Sequence, residues 1–263
     1  MSEATHAPPS ELPDIHLITL AAVLGALRQG WQDFLRAPLF GLFFAGIYVA
    51  GGLILWWLSQ KTGEIYWLVI GVFGFPLLGP FAAVGLYQVS HDLEQGRSPR
   101  WGEVLGAVYA QKNRQIPAMC ALMVLVFMFW AFVGHMIFAI FLGLSAMTNV
   151  MSSYEVFLTP NGLTMLAIGT IVGGVLAAVI FSVTVMGLPL LMDKEIDFVT
   201  AMIVSVQTVL ANFRVMVAWG LIVALLLFVG MLPAFLGLLV VLPVLGHASW
   251  HIYRLALPGP DQG

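Results

Sequence analysis

Long apolar runs separated by short charged clusters set the pattern of this chain. A helix needs roughly 20 apolar residues to cross about 30 Å of hydrocarbon. Leu39–Ser59 is one such run, and Ile65–Val89 follows once Lys61 and Glu64 have interrupted. No charge lies between Arg114 and Glu155, which predicts a third span at 116–144 with a polar exit at Thr148-Asn149 and Ser152-Ser153. The uncharged run 162–192 predicts a fourth. Charge is absent again between Arg214 and Arg254. One helix there would be about 58 Å long, nearly twice the core thickness. Two spans, 215–229 and 234–253, fit better, with a turn at Gly230-Met231-Leu232-Pro233, because glycine and proline interrupt helices for backbone reasons.

A shorter helical segment precedes each pair of spans. In the first, Leu17, Leu20, Leu24, Leu27, Trp31 and Phe34 recur every three or four residues, with Arg28, Gln29, Gln32, Asp33 and Arg36 mostly elsewhere. The second opens at Ser98-Pro99, an N-cap type followed by proline at the first helical position, and runs to Arg114. The third opens at Asp197 and runs to Phe213. Val23-Leu-Gly-Ala26 recurs as Val104-Leu-Gly-Ala107, and Arg36, Arg114 and Arg214 each stand just before a span. The second helix of each pair carries a similar proline: Phe75-Pro76-Leu-Leu-Gly79, Leu188-Pro189-Leu-Leu191 and Leu242-Pro243-Val-Leu-Gly246. A proline in a span frees a backbone carbonyl that must find a donor in lipid. The expected fold is therefore an all-α membrane protein of six spans, built as three degenerate, parallel repeats of amphipathic helix plus transmembrane hairpin. Residues 1–14 read as a disordered N-terminal tail, 15–254 as one membrane domain and 255–263 as a C-terminal tail.

Charge orients this arrangement. With six spans, nine of the ten basic residues fall on one side and Lys61 alone on the other, which puts both termini in the cytoplasm by the positive-inside rule. Trp56, Trp57, Tyr66 and Trp67 cluster at the first outer loop as an interfacial belt. Composition agrees: 60% of the 263 residues are hydrophobic and 9% charged, against about 25% charged in soluble domains. The net charge of −3 argues against a nucleic-acid partner. One cysteine, Cys120, excludes an intrachain disulfide and reads as a small core hydrophobe.

The six-span layout, the basic helix from Ser98 to Arg114 and the prolines of the even spans resemble an uncharacterised family of bacterial integral membrane proteins, domain of unknown function 2189. The likeness covers about Leu17 to Tyr253. It implies a bacterial cytoplasmic membrane, and no activity, cofactor or catalytic residue.

Residues for chemistry are few. His247 and His251, four apart, share a helix face and suit either a metal or interfacial hydrogen bonds, but no carboxylate or cysteine lies near them in sequence. His135 falls within a span, where an ionisable group is costly; a bond to a neighbouring helix or a haem shared with His247 or His251 would each explain it. Gly169, Gly173 and Ala177, with Thr170, Gly174, Ala178 and Ser182, form small-residue stripes suited to helix packing, an oligomer contact or a pore. Arg97, Arg100, Lys112 and Arg114 suit anionic lipid or an ordinary cytoplasmic flank. No nucleotide loop, zinc-protease motif or nucleophile elbow occurs, and no span holds a central Asp, Glu, Lys or Arg. The sequence therefore favours a non-enzymatic structural, assembly or accessory protein without a cofactor or metal, acting on lipid or another membrane protein or a second copy. A transporter or channel for a small neutral solute and a haem or metal redox protein are the alternatives. Structural weight is expected on Arg36, Arg114, Arg214, Pro76, Pro189 and Pro243.

Overall fold

A computed structural model describes residues 14–64, 66–143 and 154–258. The two tails up to residue 13 and from 259, and the Thr148-Asn149 and Ser152-Ser153 exit, lie outside the described residues, as do the side chains of Tyr66 and Trp67. The described chain is all-helical. Helix α1 (Leu20–Arg36) leads into the hairpin of α2 (Pro38–Thr62) and α3 (Tyr66–Glu94). Helix α4 (Trp101–Ala110) and a 3₁₀ turn precede α5 (Ile116–Leu142), α6 (Pro160–Thr184) and the short α7 (Gly187–Asp193). Helix α8 (Phe198–Ala211) precedes the α9 (Phe213–Met231) and α10 (Leu238–Ala256) pair. Among the described residues, five stretches are long and apolar enough to cross a bilayer: α2, α5, α6 with α7, α9 and α10.

The local chemistry explains most boundaries. Thr19 caps α1 by accepting from the Ala22 amide, and Asp197 caps α8 by accepting from Val199 and Thr200. Proline stands in the first turn of α2, α5 and α6, where a missing N–H costs nothing. Gly63, at φ 72°, closes α2 in the left-handed conformation glycine allows. Helix α4 departs from expectation: Ser98 is not its cap. Arg100 is extended at that position, the helix starts at Trp101, and Arg100 pairs with Glu103 at 2.7 Å. The α9–α10 connection reaches Gly237, and Ala234 and Phe235 take left-handed φ of 50° and 65°. Gly237 there lies against Gly230, where any Cβ would meet the Gly230 carbonyl oxygen at 2.6 Å. Helix α10 runs past Tyr253 to Ala256, and Leu257 beyond it is buried.

Packing is concentrated at one end. The main core gathers Val84 and Tyr87 from α3, Ile116 and Met119 from α5, Leu190 and Leu191 from α7, Ala201 and Val204 from α8, Met216 and Trp219 from α9, and Trp250 and Tyr253 from α10. The far halves of α5, α6 and α9 leave Phe129, Ile140, Ile171, Leu225 and Phe228 exposed, as lipid-facing helices do. At the packed end, His16 N–H donates to Ala256 C=O at 2.9 Å, so the first and last described segments lie side by side.

Helix α1 makes its most extensive contact with α10. Most of its large apolar stripe is turned away from the packed face. Val23, Ala26, Gly30, Asp33 and Phe34 face inward, while Leu20, Leu24, Trp31 and Leu35 are exposed. Gly30 sets the closest approach, since a Cβ there would stand 2.6 Å from both the Ala248 nitrogen and the Val244 oxygen. Small residues bring the helices together, and bulk is turned outward. Gly30→Ala is therefore expected to destabilise the protein by about 1–3 kcal/mol through overpacking against backbone. Gly25→Ala, with nothing within 4 Å, is expected to be neutral or stabilising by up to about 1 kcal/mol. Thermal unfolding of the two variants in detergent checks the contrast.

Candidate functional site

The prolines and arginines marked in the sequence fall at the packed end and its approaches. Pro76 is buried inside α3, which continues to Glu94, and a second proline, Pro80, follows one turn later. Pro243 is buried inside α10 and packs on Gly41 of α2. Pro189 lies in α7, just after a break at Val185–Met186. The break is repaired from outside the helix: the Ser205 hydroxyl of α8 donates to the Ser182 carbonyl at 2.6 Å and accepts from the Met186 amide at 3.1 Å. Near Pro76, the Cys120 thiol donates to the Leu77 carbonyl at 3.4 Å. A donor beside a broken or proline-bearing helix is what a span in lipid requires, and α3 and the α6–α7 break each have one. Arg36 ends α1 and is exposed, as is Arg214 at the start of α9. Arg114 follows the 3₁₀ turn, donates to the Lys194 carbonyl at 3.4 Å and stands 3.8 Å from Glu195.

The densest polar chemistry is a buried clasp joining α1, α3 and α10. Asp33 of α1 is 4% exposed, and Ser90 of α3 and His247 of α10 are fully buried. Ser90 Oγ lies 2.9 Å from Asp33 Oδ2 and 2.8 Å from His247 Nδ1, and His251 Nε2 lies 2.7 Å from the same Asp33 oxygen. A serine has one proton to give. With that proton on the carboxylate, His247 donates through Nδ1 to Ser90, and its Nε2 is left as an acceptor. That atom is buried without a partner among the described residues, which fits this assignment. The serine is spent on the carboxylate and shut away from solvent, the reverse of an exposed nucleophile backed by a histidine base.

A second ring of contacts surrounds the clasp. Glu94, near the end of α3, accepts from Trp250 Nε1 at 3.1 Å and Arg254 Nε at 3.3 Å. Tyr253 OH donates to Asp193 at 2.7 Å. Asp92, 1% exposed, accepts from Gln88 at 3.1 Å and pairs with Arg97 at 2.6 Å. Asn212, between α8 and α9, accepts from the Ile18 amide at 2.8 Å and donates to the His16 carbonyl at 3.1 Å, tying the segment before α1 to the core.

His247 and His251 thus do share a face, and a carboxylate does reach them, but from a residue more than two hundred positions away. Asp33 stands among the polar positions of the first helix in sequence, and no local pattern marks Ser90. The usable signal was a lone acid one turn after Gly30 in a helix with a small-residue face. His135 bonds back to Ala131 of its own helix at 2.7 Å, not to the neighbouring helix that was one expected partner, and stands exposed about 22 Å along α5 from buried Cys120. Among the described residues, no group of three or more His, Cys, Asp or Glu is placed to hold a metal. In the small-residue stripe, Gly173 packs on Trp130, while Gly169 and Gly174 have nothing within 4 Å. Trp130, Gly169, Thr170 and Gly173 help line an apolar groove of about 450 Å³ between α5 and α6.

Apolar helices of spanning length, with polar groups closed in at one end, define a polytopic helical integral membrane protein. Residues 68–193, just under half of the chain, match the family described as predicted integral membrane protein, DUF2189. The family resemblance read from the sequence therefore holds over that segment. No curated protein and no solved structure matches.

Replacing Asp33 with alanine leaves Ser90 and His251 without their acceptor and is expected to cost about 3 kcal/mol, whereas Ser90→Ala is expected to cost about 1–3 kcal/mol. Unfolding of detergent-solubilised variants measures both. The exposed cap gives a pH prediction. Hydrogen bonds from the Thr200 hydroxyl, then from backbone amides, hold the Asp197 carboxyl below its usual range. A lowered folded pKa stabilises above the unfolded value, near 4, and that contribution is lost as pH falls through the folded value. The stability gap between wild type and Asp197→Ala is therefore expected to be full near neutral pH and to shrink on acidification below about pH 4.

Proposed function

We propose that this chain is a non-enzymatic scaffold or accessory protein of the bacterial cytoplasmic membrane, with six spans and both ends in the cytoplasm, acting through protein or lipid contacts. The observation that carries the reading is the closed clasp. The polar residues best placed for chemistry, Asp33, Ser90 and His247, are buried and engaged in fastening three helices together. The six-span reading draws support from the length of α3, 29 residues, beside the five apolar stretches. The hydrogen bond between His16 and Ala256, in the first and last described segments, supports an even number of crossings. The repeat reading draws support from element order, in which a shorter helix precedes each pair of long ones, and from the outward apolar faces of α4 (Trp101, Leu105, Tyr109) and α8 (Val199, Ile203, Leu210).

A second reading, passage of a small neutral solute, draws on the groove between α5 and α6 and on the break before Pro189. Affinity capture of the full-length tagged protein in mild detergent, with mass spectrometry, separates the two. The scaffold reading expects a reproducible stoichiometric partner and no flux in proteoliposomes. Solute flux abolished by Pro189→Ala, without a captured partner, would overturn it. Labelling of single cysteines at the two ends is expected to reach both from the cytoplasmic face only.

A further inference from the structure

The outward face of α1 is left exposed by the described residues, and its chemistry identifies what covers it. Leu20, Leu24, Trp31 and Leu35 fall on one side of the helix and are 45–57% exposed. Arg28, Gln32 and Arg36 border that stripe at successive i, i+4 positions, and all three are exposed. Neither arginine forms an ion pair among the described residues, whereas Arg97, Arg100, Arg114 and Arg254 each have an acid. The third face, carrying Gly30 and Asp33, is locked to α10 and α3. Helix α1 therefore cannot roll to hide its leucines.

The exposed surface continues through the single residue Ala37 into α2, where Leu39, Leu42 and Phe43 are also exposed on a helix of spanning length. The same apolar surface thus passes from α1 into the bilayer. An apolar stripe bordered by arginines is the pattern of a helix lying in the headgroup layer, with its leucines toward acyl chains and its cations at phosphate level.

We propose that α1 is an interfacial helix that seats Leu20, Leu24, Trp31 and Leu35 in the membrane and selects anionic phospholipid through Arg28 and Arg36. The proposal rests on the membrane-embedded reading of the protein and takes its side of the bilayer from the topology above. Its test is independent of any captured partner, so either result can fail alone.

The experiment uses the full-length protein in mild detergent, mixed with equal amounts of phosphatidylglycerol and phosphatidylcholine, and reads the retained lipids by native mass spectrometry. Each arginine near an anionic surface contributes about fivefold. Arg28→Gln with Arg36→Gln is expected to lower the glycerol-to-choline retention ratio by roughly 25-fold at low salt, with unchanged thermal stability because neither side chain enters the core. Arg28→Lys with Arg36→Lys is expected to keep most of the selectivity. Brominated lipids are expected to quench a fluorescence component that disappears in Trp31→Phe. An unchanged lipid ratio in the glutamine variant overturns the proposal. So does an unquenched Trp31 together with dimer cross-linking through Trp31→Cys, which would assign the face to a second copy of the chain.

Discussion

A carboxylate buried at a helix contact constrains this molecule more than any other single group. Burying Asp33 is tolerable only because two donors converge on one of its oxygens, Ser90 from α3 and His251 from α10. Those donors come from separate helices, so satisfying one carboxylate fixes three elements at once. Gly30, one turn earlier, lets the helices approach closely enough for these short bonds to form. The clasp therefore selects one face of α1 for the interior, and every consequence for its outer face follows.

Packing elsewhere obeys a different balance. In lipid, apolar side chains gain little by meeting one another, and helix association falls to close packing and hydrogen bonds. The core accordingly collects where polar groups and short helices meet, around Trp250, Tyr253, Trp219 and Leu190. The far halves of α5, α6 and α9 stay exposed to hydrocarbon. Ser205 illustrates the same rule at smaller scale, since a hydroxyl from α8 supplies what the α6–α7 break leaves open.

Much of the architecture was legible from charge spacing and from helix punctuation. Asp197 as a cap and two helices between Arg214 and Arg254 both follow from local backbone chemistry. The clasp was not legible in the same way. Asp33, Ser90 and His247 are far apart in sequence, and no local pattern encodes which faces meet. The stripe of α1 does not by itself tell which side packs: in water its leucines would mark the buried side, whereas beside a membrane they mark the outer one. Ser98 misled because Arg100 is extended, so the helix starts only at Trp101.

Amide hydrogen exchange on the intact protein in detergent tests whether α1 is an integral part of the packed end. The account predicts that residues 20–36 exchange as slowly as 84–94 of α3 and 244–256 of α10, and that Asp33→Ala releases α1 first. Rapid exchange across α1 in the unmodified protein, with α3 and α10 still protected, would contradict it.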